Sequence, residues 1–293
     1  MSKFTSRLDS ATRTNRSLVC IGLDVDPALM PIADVRKFNR AIVDATKDLV
    51  CAYKPNIAFY EALGLEGLQA LRDTVSYIRK VAPDVVLLCD AKRGDIDSTS
   101  IRYARAIFDF WDFDAVTVNG YMGGESLSPF FDYADRGVFV VCRSSNPGAQ
   151  EFQDMMVLPD TTELGMDGQG QKMPLYEWMA VRSSEWNSNG NLGLVVGATS
   201  PDQLRTVRHR CPGVPILIPG VGAQGGELEM SVKNGIDRSA DGSSTPPRVL
   251  INSARGIIYA DRSTGGFPDG ARNAAGKLRD EINCVLEQEG APW

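Results

Sequence analysis

The chain has 293 residues, of which 43% are apolar and 23% charged, and its formal net charge is -6. That balance excludes a disordered or fibrous chain, and it argues against a general polyanion binder, which carries a basic stripe; no nucleic-acid partner is expected. No apolar run approaches the ~18 residues of a membrane span, and the first nine residues lack the apolar core of a signal peptide, so the expectation is a cytoplasmic protein with no membrane partner.

Short apolar runs alternate with longer amphipathic stretches. Strands are predicted near Ser17–Asp24, Leu49–Lys54, Val85–Asp90, Ala115–Asn119, Gly137–Arg143, Gly193–Ala198, Val214–Pro219 and Arg248–Asn252. Helices are predicted over Val35–Lys47, Glu61–Ala82, Thr99–Phe110, Tyr176–Trp186, Pro201–Arg210, Glu227–Asn234 and Asn273–Glu289, with Thr199-Ser200 offering a cap ahead of Pro201 in the first turn. Eight strand-helix units favour a closed (β/α)8 TIM barrel, one domain over residues 1–293, with an open doubly wound sheet as the alternative. Two stretches break the rhythm. Residues 151–173 follow the fifth strand, on the catalytic face of a barrel, and form a candidate lid; residues 236–247 enter the eighth strand from the opposite face and read as a surface insertion. The six cysteines contain no Cys-x-x-Cys, and four sit in strand-like runs, which suits buried free thiols.

The densest chemistry lies where Val85-Val86-Leu87-Leu88-Cys89 ends in Asp90-Ala91-Lys92-Arg93-Gly94-Asp95. Side chains alternate along a strand, so Leu88, Asp90 and Lys92 share one side. An Asp-Lys pair here serves equally to cap a strand or to build a site. The first strand, however, ends at Asp24 and the second at Lys54, so four or five charges converge on one barrel mouth, more than capping requires. The fourth strand brings Asn119 and the fifth Ser145 to that same face. The seventh runs into Pro219-Gly220-Val221-Gly222-Ala223-Gln224-Gly225-Gly226 and the eighth into Asn252-Ser253-Ala254-Arg255. Glycines let amides approach an anion, a following helix aims its positive end at it, and arginine grips phosphate with two prongs. Tight turns alone remain the alternative for the glycines. Gly220 to Gly225 also satisfies G-x-G-x-x-G, but at the seventh strand rather than the first turn of a dinucleotide fold. The single histidine, His209, lies in a basic helical stretch, so neither a metal site nor a histidine-based triad is expected. Carboxylates beside Lys92 favour its ammonium, which suits proton donation and opposes Schiff-base chemistry.

Together, Gly22-Leu23-Asp24, Lys54-Pro55-Asn56, Asp90-Ala91-Lys92-Arg93-Gly94-Asp95-Ile96, Asp114 to Asn119, Ser145-Asn146-Pro147-Gly148, Pro219 to Gly226 and Arg255 to Tyr259 resemble the orotidine 5′-monophosphate decarboxylase family in its longer bacterial form, over nearly the whole chain. The resemblance implies a homodimeric barrel that converts orotidine 5′-monophosphate to uridine 5′-monophosphate and carbon dioxide without metal or cofactor. It further implies catalytic Lys92, Asp90, Lys54 and Asp95. Asp24 is implied at the ribose, Ser145 at the pyrimidine, and Pro219, Gly220, Gln224 and Arg255 at the phosphate. Asn119 joins the substrate-binding set, and Asp95, Ile96 and Thr99 come from the other subunit. Two residues depart from the family pattern: Asp97 stands where a small residue such as glycine is usual, and Gly120 where proline is common after Asn119. A metal-assisted phosphosugar decarboxylase, a Schiff-base aldolase and a phosphoribosyl-ligand binding protein without turnover are the competing readings.

Overall fold

The computed structural model describes residues 2–159, 172–221, 225–237, 247–291 and 293. It opens with a helix absent from the sequence reading, α1 (Lys3–Asn15), whose first turn is capped by the Ser2 hydroxyl. Its apolar residues Phe4, Leu8 and Ala11 share one face but are separated by polar ones, so the stripe is narrow and easily missed. The chain continues through β1 (Val19–Gly22), α2 (Val35–Thr46) and β2 (Ala52–Lys54). The helix expected over 61–82 is α4 (Gly64–Val81), preceded by the single turn of α3 (Ile57–Glu61) and set off from it at Gly64, which adopts a left-handed φ of +64°. Then follow β3 (Val86–Arg93) and α5 (Asp97–Arg105), the latter running on as a π-helical turn over Ala106–Phe110.

After β4 (Ala115–Val118) comes a second unforeseen helix, α6 (Gly124–Phe131), whose paired glycines and internal Pro129 disguise it. β5 (Gly137–Arg143) leads to a small antiparallel ribbon, β6 (Met156–Val157) against β7 (Met173–Pro174), which closes the base of the excursion proposed as a lid. Residues 160–171 of that excursion, and 238–246 of the second insertion, lie outside the described residues. The remainder is α7 (Leu175–Trp186), β8 (Leu192–Val196), α8 (Pro201–Arg210), β9 (Ile216–Pro219), α9 (Gly225–Gly235), β10 (Val249–Ser253), α10 (Arg255–Ile258) and α11 (Asp269–Gln288). Pro201 does take the first turn of α8, but the Ser200 side chain makes no cap hydrogen bond there.

Eight parallel strands close in the order β1-β10-β9-β8-β5-β4-β3-β2, so the expected (β/α)8 TIM barrel is the fold and the open sheet is not. Alternation sorts each strand into an outer face, packed on the helices, and a face that fills the lumen. The lumen layer comprises Cys20, Ala52, Val86, Leu88, Ala115, Phe139, Val195, Leu217 and Leu250. The amino end of the lumen is closed by α1: Phe4 packs edge-on to Phe139 with centroids 5.9 Å apart, and Leu8 and Ala11 are buried beside it. A Cβ on Gly137 would lie 2.5 Å from the Phe4 ring, so glycine there makes the space the aromatic occupies.

Candidate active site

Two residues further along the neighbouring strands β2, β3 and β4, and along β10, the lumen turns polar. Ala52 gives way to Lys54, Leu88 to Asp90, Ala115 to Thr117 and Leu250 to Asn252, and all four polar residues are buried. Asp90 is the hub. Its Oδ2 accepts from Lys54 Nζ at 2.9 Å, and its Oδ1 accepts from Lys92 Nζ at 2.6 Å and from the Thr117 hydroxyl at 2.8 Å. One buried carboxylate thus bridges two ammonium groups. Burial alone would push the Asp90 carboxyl up, but Lys54 and Lys92 outweigh it and hold the group well below the usual carboxylate range. Burial likewise pulls Lys54 down, yet Asp90 and Asp24 prevail and its ammonium is favoured.

The pairing of Asp90 with Lys92 comes about by a route that alternation does not describe. Leu88 and Asp90 face the lumen as expected, but at Lys92 the backbone leaves the strand conformation, with φ at +47°, where the β3–β4 register shifts. Such a conformation disfavours a side chain of this size and persists only when neighbours hold it. Here Thr117 holds it: its hydroxyl accepts from both the Ala91 and the Lys92 amides at 3.0 Å while donating to Asp90. Thr117 was missed as a site residue, although its place two residues after Ala115 on a lumen-facing strand is the signal that finds it.

The Lys54–Asp90 pair lines a cavity of about 630 Å³ together with Asp24, Asn252, Pro219, Gly220, Val221, Arg255 and Arg262. Asp24 Oδ1 is buried without a hydrogen-bond partner, and burial raises the Asp24 carboxyl above its ordinary value despite Lys54 nearby. Gly220 adopts φ +91°, a conformation that favours glycine, and its Cβ position faces Ser145 Oγ at 3.5 Å. Ser145 is set by its neighbours: Gln153 accepts from the Ser144 amide at 2.8 Å, and the Thr199 hydroxyl donates to the Ser145 carbonyl at 3.3 Å. Among the described residues neither Arg255 nor Arg262 forms an ion pair, so the cavity lining carries two guanidinium groups without a carboxylate partner. Arg262 escaped the sequence reading because it belongs to no charge or glycine pattern, and Asn252 was read only as the end of the eighth strand, not as a lining residue.

The remaining expected residues lie around this mouth. Asn119 caps the turn that follows β4, accepting from the Tyr121 amide at 3.1 Å. Asp95 accepts from the Ile96 amide at 2.8 Å, and its backbone is clasped by the buried Ser100 hydroxyl; within this one chain it does not pair with Lys92. Ile96 is exposed and Thr99 half-buried on the first turn of α5. Asp97 takes φ +25°, which gives a physical reason why glycine suits that position. Gln224 lies outside the described residues.

A family model for the orotidine 5′-phosphate decarboxylase / HUMPS family matches residues 17–264. The chain belongs to that family. It is 47% identical over 292 residues to the orotidine 5′-phosphate decarboxylase of Thermomicrobium roseum, covering 97% of this chain and 96% of that one. It is 44% identical over 288 residues to the enzyme of the same name from Ralstonia pickettii, covering 96% and 98%. A solved structure of Leishmania donovani OMP decarboxylase matches with a TM-score of 0.78 at 37% identity, over 97% of this chain and 98% of that one. Membership and these near-full-length likenesses place the chain among the carboxy-lyases. Among the described residues no helix is long and apolar enough to cross a membrane.

Proposed function

We propose that the chain decarboxylates orotidine 5′-monophosphate to uridine 5′-monophosphate in the cytoplasm, using fixed protein charges without metal or cofactor, and that Lys92 is the proton donor. The observation that carries the reading is the Asp90 carboxylate, which bridges Lys54 and Lys92 and lines one cavity with Lys54, Asp24 and Arg255. Loss of carbon dioxide leaves an electron pair at C6 in the plane of the pyrimidine, which the ring π-system does not absorb. The Lys92 ammonium stabilises that charge and then delivers its proton to C6. Asp90 holds the Lys92 side chain in place through a 2.6 Å contact, and Lys54 helps keep Asp90 ionised. The unpartnered Asp24 carboxylate oxygen is matched to a ribose hydroxyl, Ser145 to a polar ring edge, and Pro219, Gly220, Gln224 and Arg255 to the phosphate. Phosphate contacts far from C6 then serve to exclude water and to stabilise the transition state with remote binding energy. In this reading the working form is a homodimer, in which Asp95, Ile96 and Thr99 of one subunit complete the site of the other; the exposed Ile96 side chain beside the mouth suits such a contact.

The test is direct. Purified protein is mixed with orotidine 5′-monophosphate in EDTA, and loss of substrate absorbance and release of carbon dioxide are followed. Turnover that survives the chelator is the expected result. Binding without carbon dioxide release overturns the decarboxylase reading, and turnover that EDTA abolishes overturns the metal-free one.

A further inference from the structure

The cavity is shaped by two separate pieces of chain, the loop after β1 that carries Asp24 and the turn after β10 that carries Arg255, and they meet at one side chain. Tyr259, buried at the end of α10, donates its amide to the Arg255 carbonyl at 3.2 Å. Its hydroxyl donates to the Asp24 carbonyl at 3.1 Å and accepts from the Asp26 amide at 2.6 Å. The ring itself has little freedom, because it stacks on Phe38 with centroids 5.7 Å apart, and Phe38 stacks on Phe267 at 5.2 Å. The start of the Asp24 loop is held independently: the Leu23 amide donates to the Lys54 carbonyl at 3.1 Å, and the Tyr60 hydroxyl donates to the Leu23 carbonyl at 3.0 Å. Beyond Leu23 the situation changes. Among the described residues, the Tyr259 hydroxyl makes the only hydrogen bonds tying the backbone of residues 24–26 to another element.

We infer that Tyr259 is a positioning residue that couples the two ends of the cavity, so that an anion gripped at Arg255 also fixes the Asp24 carboxylate for its ligand. The inference rests on the proposed function only for what each end holds; the mechanical link is in the hydrogen bonds themselves. A purely structural tyrosine would stabilise the fold through its ring and leave the loop unmoved by events at Arg255. Tyr259→Phe separates the two, since it keeps the stack on Phe38 and removes only the hydroxyl.

Amide hydrogen exchange on the full-length protein reads the loop without substrate. In the Phe variant the peptide spanning 23–30 is expected to exchange about ten-fold faster, while peptides from the barrel strands are unchanged. Inorganic phosphate, added as the anion probe, is expected to slow exchange of the 23–30 peptide in the wild type and not in Tyr259→Phe. Unchanged exchange in the variant, or equal protection by phosphate in both proteins, overturns the inference. In turnover assays with orotidine 5′-monophosphate the variant is expected to raise KM about five-fold with a smaller change in kcat, and to add less than about two-fold to KM in an Arg255→Ala background. Equal factors in both backgrounds overturn the coupling. A wild-type protein that fails to consume this substrate refutes the proposed function instead, and the exchange measurements still decide the role of Tyr259.

Discussion

At its amino end the barrel lumen is filled by Phe4, Leu8 and Ala11 of α1 against Phe139, whereas two residues beyond the lumen-facing Ala52, Leu88, Ala115 and Leu250 it holds Lys54, Asp90, Thr117 and Asn252. The apolar end needs no partners, only volume, and its burial contributes stability directly. The polar end must place each buried group against a counter-charge or donor, because an unpaired charge out of water costs several kcal/mol. Thus Asp90 is satisfied three times over, and one of the groups it holds, Lys92, sits on strained backbone at φ +47°. One end carries the fold; the other spends stability on charge.

That division is sharpest at Lys92. Its side chain is 54% exposed, so the ion pair with Asp90 adds little to folding. Lys92→Ala is expected to lower kcat by on the order of 10³-fold or more while leaving the melting temperature nearly unchanged. Lys54 is the control: its side chain is 3% exposed, and Lys54→Ala is expected to cost about 3 kcal/mol of stability as well as activity. Thermal melts and turnover on both variants check this, and near-normal turnover by Lys92→Ala removes its assignment as the proton donor.

Phe4→Ala probes the opposite end. Deleting a fully buried ring is expected to cost roughly 3–5 kcal/mol of stability, read from urea midpoints, with kcat of the folded fraction unchanged. Lost turnover in folded protein would mean that the two ends are not separable. A smaller effect is expected on the cavity wall, where Arg255→Ala should weaken product binding by roughly 1.5–3 kcal/mol, measured by titration with uridine 5′-monophosphate.

The same contrast explains what was legible in the sequence. All eight barrel strands were readable because a parallel strand buried on both faces is a short uninterrupted apolar run, and Asp24, Lys54 and Asp90 stand at or near the ends of such runs. α1 and α6 were not, since their apolar residues are few and become a face only against a barrel that does not yet exist in the sequence. Tyr259 escaped notice for a related reason: its hydroxyl bonds backbone brought in from another loop, and spacing along the chain carries no trace of that contact, whereas the lumen-facing register of Thr117 was there to be read.

The smallest predicted effect runs opposite in sign to the others. Burial raises the Asp24 carboxyl, whereas Lys54 and Lys92 depress that of Asp90, so the two respond to acid in opposite directions. A raised folded-state pKa means that the stabilising contribution of Asp24 is complete below the unfolded value near ~3.9 and is lost as pH rises through the folded value. Asp90 is the reverse: its contribution is present above that unfolded value and is lost only as pH falls towards its own depressed one. At neutral pH the ionised Asp24 is therefore a cost to the fold. Asp24→Asn is expected to be more stable than the wild type by ~1 kcal/mol at neutral pH, with the gap closing as pH falls towards about 4, and to bind uridine 5′-monophosphate more weakly. Urea midpoints across that range, paired with product titrations, give the answer. An Asn variant that is less stable at neutral pH, or a gap that does not change with pH, would show that the Asp24 carboxylate is satisfied within the fold and is not held in reserve for a hydroxyl.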